Sequence, residues 1–114
     1  MISTAAFRKL ALSFHDVVEQ PHFEKTSFRI NKKIFATLDI VKKKGVVKIS
    51  KDDQSLFCEH HPDIIYPANG AWGKQGWTII DLAKAKIKII KTLLAISYEM
   101  VSIKKSSKSK PKKI

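Results

Sequence analysis

Between Asn69 and Trp77 the chain reads NGAWGKQGW, which gathers both of its tryptophans and three of its four glycines around the pair Lys74-Gln75. Glycines at 70, 73 and 76 permit turns that other residues resist. A lysine supplies a positive point charge, a glutamine an amide, and an indole a flat surface on which a base can stack. Trp72, Gly73, Gly76 and Trp77 therefore form a candidate ligand loop from which Lys74 and Gln75 project. The spacing lets one indole clamp against a sheet while the other meets solvent. The competing use of the same residues is packing, with both indoles closing the core and the glycines only shaping the chain.

Two further sets of side chains could do chemistry of the same kind. Arg29, Lys32 and Lys33 flank one short connection, and Lys42, Lys43 and Lys44 occupy another. Cationic hairpin tips are what DNA-binding folds use as wings. Lysine contacts phosphate as a point charge and carries little sequence information, so DNA held this way is bound weakly, salt-sensitively and with little specificity.

Other constellations carry less. Cys58 and His61 stand at i, i+3, but zinc needs three or four ligands and only the distant His15 and His22 could add to them. No metal or cofactor is expected. The chain has no GxSxG, Walker loop or HExxH. Asp39, His22 and Arg29 could approach one another across a sheet, which does not define a catalytic group, so a non-enzymatic protein is expected.

The elements that must position these residues follow from periodicity. Phe7, Leu10, Ala11 and Phe14 recur at helical spacing after Ser3 or Thr4, a natural N-cap. Pro21 sits in an extended or turn segment. TSFRI and IFATLDI, divided by Asn31-Lys32-Lys33, read as a hairpin. GVVKIS at 45–50 makes a second hairpin, with Gly45 available for a positive φ. Ser50, with Asp53 three residues on, caps a helix over 51–60 that turns Leu56 inward and ends before Pro62. The segment IIYPANGAWGKQGWTII is a loop with extended ends and a final strand, WTII, at 77–80. Asp81 caps a long helix over 83–103. It carries Ile87, Ile90, Leu94, Tyr98 and Val101 on one stripe and Ile89, Leu93, Ile96 and Met100 beside it, so it packs across the sheet.

A chain of 114 residues with 44% apolar content bounds these elements to one modest domain. Residues 1–103 form the domain and 104–114, KKSSKSKPKKI, a disordered lysine-rich tail. No apolar run is long enough to span a bilayer and the start lacks a signal pattern. One cysteine excludes an intramolecular disulfide, and a monomeric cytoplasmic protein without membrane contact is expected. The net charge is +12, of which the six tail lysines account for half, leaving +6 on the body. That field attracts polyanions, although a solvated lysine-rich surface has the same composition.

The landmarks PHFEKTSFRI, KIFATLD, YPANGAWGKQGW and SYEMV, in this order, resemble the MmcQ/YjbR-like family over residues 1–103. The resemblance implies a fold similar to CyaY, the bacterial frataxin: an α+β sandwich whose helices pack on one face of an antiparallel meander. It also implies DNA binding through a double-wing arrangement. The chain departs from the family at His15-Asp16, where a Pro-Gly turn is usual, and at Glu24, where a glycine is usual. Frataxin-type iron binding needs an acidic ridge, and the first helix has no acid before Asp16, so that activity is not expected here. The expected function is thus a binding module for DNA. The alternative is a protein- or small-molecule-interaction domain that uses the loop around Trp72 and Trp77.

Overall fold

The computed structural model of the chain describes residues 2–22 and 25–109, with side chains as far as residue 102. The chain runs α1 (Thr4–Leu12), β1 (Val18–His22), β2 (Lys25–Ile30), β3 (Lys33–Asp39), β4 (Lys44–Lys48), α2 (Lys51–His60), β5 (Ile65–Pro67), α3 (Gly70–Lys74), β6 (Trp77–Asp81) and α4 (Ile87–Ser109). The strands form one antiparallel sheet in the order β1-β2-β3-β4-β6-β5.

Alternation along the strands gives the sheet two unlike faces. Phe28, Ala36, Val47 and Thr78 lie in one cross-strand row, and Leu38, Gly45, Ile80 and Ile65 in the next. Apart from Gly45 and Thr78 these are core residues at most 1% exposed, and they meet Phe7 and Ala11 of α1 and Ile90, Leu93, Leu94 and Val101 of α4. Burying each large apolar side chain contributes about 1.5–3 kcal/mol, so this layer is the main source of stability. The other face presents Arg29, Thr37, Lys44, Val46, Lys48, Tyr66, Trp77 and Ile79. The protein is therefore α+β with its helices on one side of the sheet.

Ser97 fastens α4 to the middle of the sheet. The β2–β3 register shifts at Phe28/Arg29, which pair with Ala36 and Ile34, so Phe35 lies between two pairs as a bulge. The Lys48 N–H donates to Ser97 Oγ at 3.1 Å, and that hydroxyl donates to the Phe35 carbonyl at 2.6 Å. The Phe35 ring packs edge-on against Tyr98, which stacks on Phe14 at 4.8 Å and donates its hydroxyl to the His15 carbonyl.

Several local expectations hold. Ser3 Oγ accepts the Ala6 N–H and Ser50 Oγ accepts the Asp53 N–H, so both serines cap their helices. The first hairpin closes through Asn31 and Lys32 at φ 55° and 69°, the type I′ geometry that suits a two-residue connection.

The extended segment expected at Pro21 is there, as a strand, and other expectations need correction. VEQPH is a full edge strand, β1, with Pro21 opposite Thr26; proline is tolerated there because an edge strand need not use every N–H. Gly45 is not the turn residue. Lys43 takes the positive φ of 57°, while Gly45 lies in β4 under the Phe7 ring, which a Cβ would strike. Leu56 points outward at 50% exposure; α2 packs instead through Gln54, Phe57 and Cys58. Asp81 caps a single turn rather than a long helix: its carboxylate accepts the Ala83 N–H and its carbonyl the Lys84 and Ala85 N–H groups. Leu82 and Ala85 are buried in this turn, and α4 starts only at Ile87, itself half exposed. The helix runs to Ser109 rather than 103, as no proline or glycine intervenes before Pro111. Residues 110–114 of the expected tail, and the departure at Glu24, lie outside the described residues.

Candidate nucleic-acid interface

The two cationic hairpin tips do not meet. In a meander, successive connections lie at opposite ends of the strand they share. β3 has seven residues, so the Asn31-Lys32 tip and the Ile40–Lys43 tip stand roughly 20 Å apart at ~3.3 Å per residue. Lys32, Lys33, Lys42 and Lys43 are all exposed. The second tip is shaped by Asp39, whose carboxylate accepts the Lys42 N–H at 3.0 Å.

Lys44 is not a free wing cation. Its ammonium donates to the Tyr66 hydroxyl at 2.6 Å and lies 3.6 Å from the Asp81 carboxylate. The ammonium is 5.4 Å from the Tyr66 ring centre. The difference between that distance and the hydrogen bond matches the span from a phenol's ring centre to its oxygen. Lys44 therefore sits beyond the hydroxyl, near the ring plane, and the contact is a hydrogen bond rather than a cation held over a π face. The Tyr66 hydroxyl, and the Tyr66 and Asp81 charges after it, raise the Lys44 pKa above the ordinary lysine value against a smaller opposing effect of burial. With Asp39 and Asp81 as cross-strand neighbours of Lys44, this end of the open face carries acids as well as a base.

The opposite end is different. The β4–β6 register places Lys48 directly across from Trp77, with the Lys48 ammonium 5.7 Å from the indole ring centre. Arg29, two strands away, lies along the same face and donates from Nε to Ser27 Oγ at 2.9 Å. Because β3 begins and β4 ends here, the Asn31–Lys33 tip belongs to this end, and so does α3, which leads into β6.

The Trp-Gly segment is a built platform rather than an open loop. It forms one helical turn, α3, which a five-residue stretch with two glycines hardly signals in sequence. Buried Gln54 of α2 aims its amide NH2 at the carbonyls of Gly73 (3.0 Å) and Trp77 (3.2 Å) and at Thr78 Oγ1 (3.1 Å). Thr78 in turn donates to the Gly76 carbonyl. Gly76 has φ 100° and lies against the Ile49 backbone, and Gly73 lies against the Ala68 carbonyl, so a Cβ at either would collide with backbone. On this platform Trp72 is 64% exposed, Trp77 is half-buried on the sheet, and Lys74 and Gln75 are exposed.

Of the residues singled out in the sequence, Arg29, Lys32, Lys33, Trp72, Gly73, Lys74, Gln75, Gly76 and Trp77 share one end of the sheet; Lys42, Lys43 and Lys44 lie at the other. Lys48, Gln54 and Tyr66 are additions. Lys48 sits at an outward position in GVVKIS, but its indole partner is set by the β4–β6 pairing, which skips over α2 and β5.

The remaining features belong elsewhere. A groove of about 500 Å3 between α2 and α4 is lined by Phe57, His61, Ile64, Lys86, Lys88, Ile89 and Thr92, with neither indole in its wall. Burial pushes the Cys58 thiol above its usual pKa, with Lys51 opposing in part. Among the described residues no three His, Cys, Asp or Glu side chains converge as a metal site would require. Arg29 and Asp39 lie toward opposite ends of the sheet. No helix among the described residues is long and apolar enough to cross a membrane.

An antiparallel α+β sandwich with one helix-covered face and one cationic, aromatic face is the class this architecture defines. The YjbR family model matches residues 12–100, and the chain belongs to that family. The fold is shared with the crystal structure of Deinococcus radiodurans protein DR2400, which contains a DUF419 domain. The two are 20% identical and superpose with a TM-score of 0.81 over 92% of this chain and 82% of that one. No functionally curated protein matches the chain.

Proposed function

We propose that the domain is a non-enzymatic nucleic-acid-binding module whose contact surface is one end of the sheet, where Lys48 and Trp77 of the open face border the α3 turn, not a pair of wings. One observation carries the reading: Arg29, Lys32, Lys33, Lys48 and Lys74 stand at the same end as an exposed indole, Trp72, and a half-buried one, Trp77. Cations supply attraction to phosphate, and aromatic rings supply a surface for bases.

The second reading, an interaction domain for a protein or small molecule, draws on the exposure of Trp72. The apolar groove does not support it, because that concavity lies against α4 and excludes both indoles.

The test is a fluorescence-anisotropy titration of labelled DNA at several salt concentrations, with the tail intact. Replacing Lys32, Lys33, Lys48 and Lys74 with glutamine should weaken binding more than the same replacement of Lys42, Lys43, Lys84 and Lys91. It should also flatten the salt slope, at about 0.9 per lost phosphate contact. Equal losses from the two sets would show that net charge alone governs binding and would end this assignment.

A further inference from the structure

This inference rests on the reading above and names its ligand. We infer that the surface is built for single-stranded nucleic acid, with a base stacked on Trp72 and the strand crossing the sheet past Trp77 and Lys48 toward Arg29 and Lys32.

Three observations lead there. First, Trp72 is 64% exposed although its backbone is held rigidly by Gln54, Gly73 and Gly76. An indole so presented leaves apolar surface in water while the backbone beneath it is already ordered by the platform. A duplex offers phosphates and stacked pairs whose faces are hidden, so it has no use for that ring. An unpaired base does.

Second, the geometry suits a flexible strand rather than a rod. A duplex gripped by two wings needs both tips on one side, and here they are separated by the length of β3. From β6 to β2 the path crosses three strand spacings, roughly 14 Å at ~4.8 Å each. With α3 in the β5–β6 connection at that end, a short strand of about four nucleotides, the low end for single-strand sites, spans it.

Third, the charge pattern sets the path. Lys48 and Arg29 lie on the open face at the indole end, whereas Asp39 and Asp81 flank Lys44 at the other. Phosphates are drawn across the strands at the first end, and more weakly along them to the second, where Asp39 and Asp81 offset most of the charge of Lys42, Lys43 and Lys44.

The experiment compares a ten-nucleotide dT oligomer, a ten-base-pair duplex and inorganic polyphosphate on the full chain, its Trp72→Ala and Trp72→Phe variants, and the four-lysine variant. Melting temperatures verify that the variants fold, which the exposure of Trp72 favours. Trp72→Ala should weaken oligomer binding about 5-fold or more, the low end for stacking on an aromatic side chain. Duplex and polyphosphate binding should change less than about 2-fold, and Trp72→Phe should recover most of the loss. Unchanged oligomer binding, or equal losses on all three probes, overturns the single-strand inference. If the four-lysine variant still loses duplex binding in that case, the broader nucleic-acid reading survives. If wild-type protein binds both nucleic acids no better than polyphosphate, that reading falls as well.

Discussion

Lys48 and Trp77 face each other across β4 and β6, with the ammonium 5.7 Å from the centre of the indole ring. The pair joins the end of a meander strand to the start of a strand 29 positions later, and it makes one end of an open sheet both cationic and aromatic. The contact itself adds only about 0.5–1 kcal/mol at an accessible site. Its value is positional, since it holds a charge beside a ring on the same face as Arg29.

Strain at the first hairpin tip gives a test in which stability and binding move in opposite directions. Lys32→Gly converts Asn31-Lys32 into the Asn-Gly pair that type I′ turns favour. The variant should be more stable by about 0.5–1 kcal/mol in urea denaturation and should bind nucleic acid less tightly. A less stable variant would mean that the lysine packs productively at the tip.

The platform depends on Gly76. Its φ of 100° and its contact with the Ile49 carbonyl leave no room for a methyl group. Gly76→Ala should lower stability by more than ~1 kcal/mol in the same assay. Gly70 has φ 61° but open space around it, so Gly70→Ala should cost less.

Lys44 should titrate above the exposed lysines. Tyr66 contributes most to the upward shift, so Tyr66→Phe should bring the Lys44 midpoint down in an NMR titration of the side-chain methylenes. The sign for stability follows from a folded pKa above the unfolded one. The charged lysine's contribution is complete below the ordinary lysine pKa and is lost as pH rises through the higher folded value. The melting-temperature gap between wild type and Lys44→Met should therefore narrow in strongly alkaline solution. A constant gap would show that Lys44 acts through packing of its methylenes.

Cys58 offers a probe of the helix layer. Burial raises its pKa, so little thiolate forms near neutral pH. Alkylation by iodoacetamide at pH 7.5 should be slower than for an unstructured thiol peptide and should reach the peptide rate in denaturant. Equal native rates would place the thiol in solvent.

What the sequence disclosed depended on how local the determinant was. Caps at Ser3 and Ser50, the Asn31-Lys32 turn and the apolar stripe of α4 from Ile90 onward are written within a few residues, and all appear in the structure. Strand β1 is hidden because VEQPH alternates poorly and contains a proline that only an edge position excuses. Leu56 misled because the inward stripe of α2 starts at a polar residue, Gln54, whose partners lie 19 to 24 positions away. The candidate site was legible as a set of residue types, but its grouping was not. Which lysines share a surface with the indoles depends on the β4–β6 pairing and on the two ends of β3. Neither is encoded in a short window.

The most direct measurement of the central claim is an amide NMR map of the full chain during titration with a short dT oligomer at moderate salt. The largest shifts should fall on Arg29–Lys33, on Lys48, and on Trp72–Trp77 together with the two indole N–H signals. Shifts confined to Lys42 and Lys43, to the groove between α2 and α4, or to residues beyond 103 would contradict it.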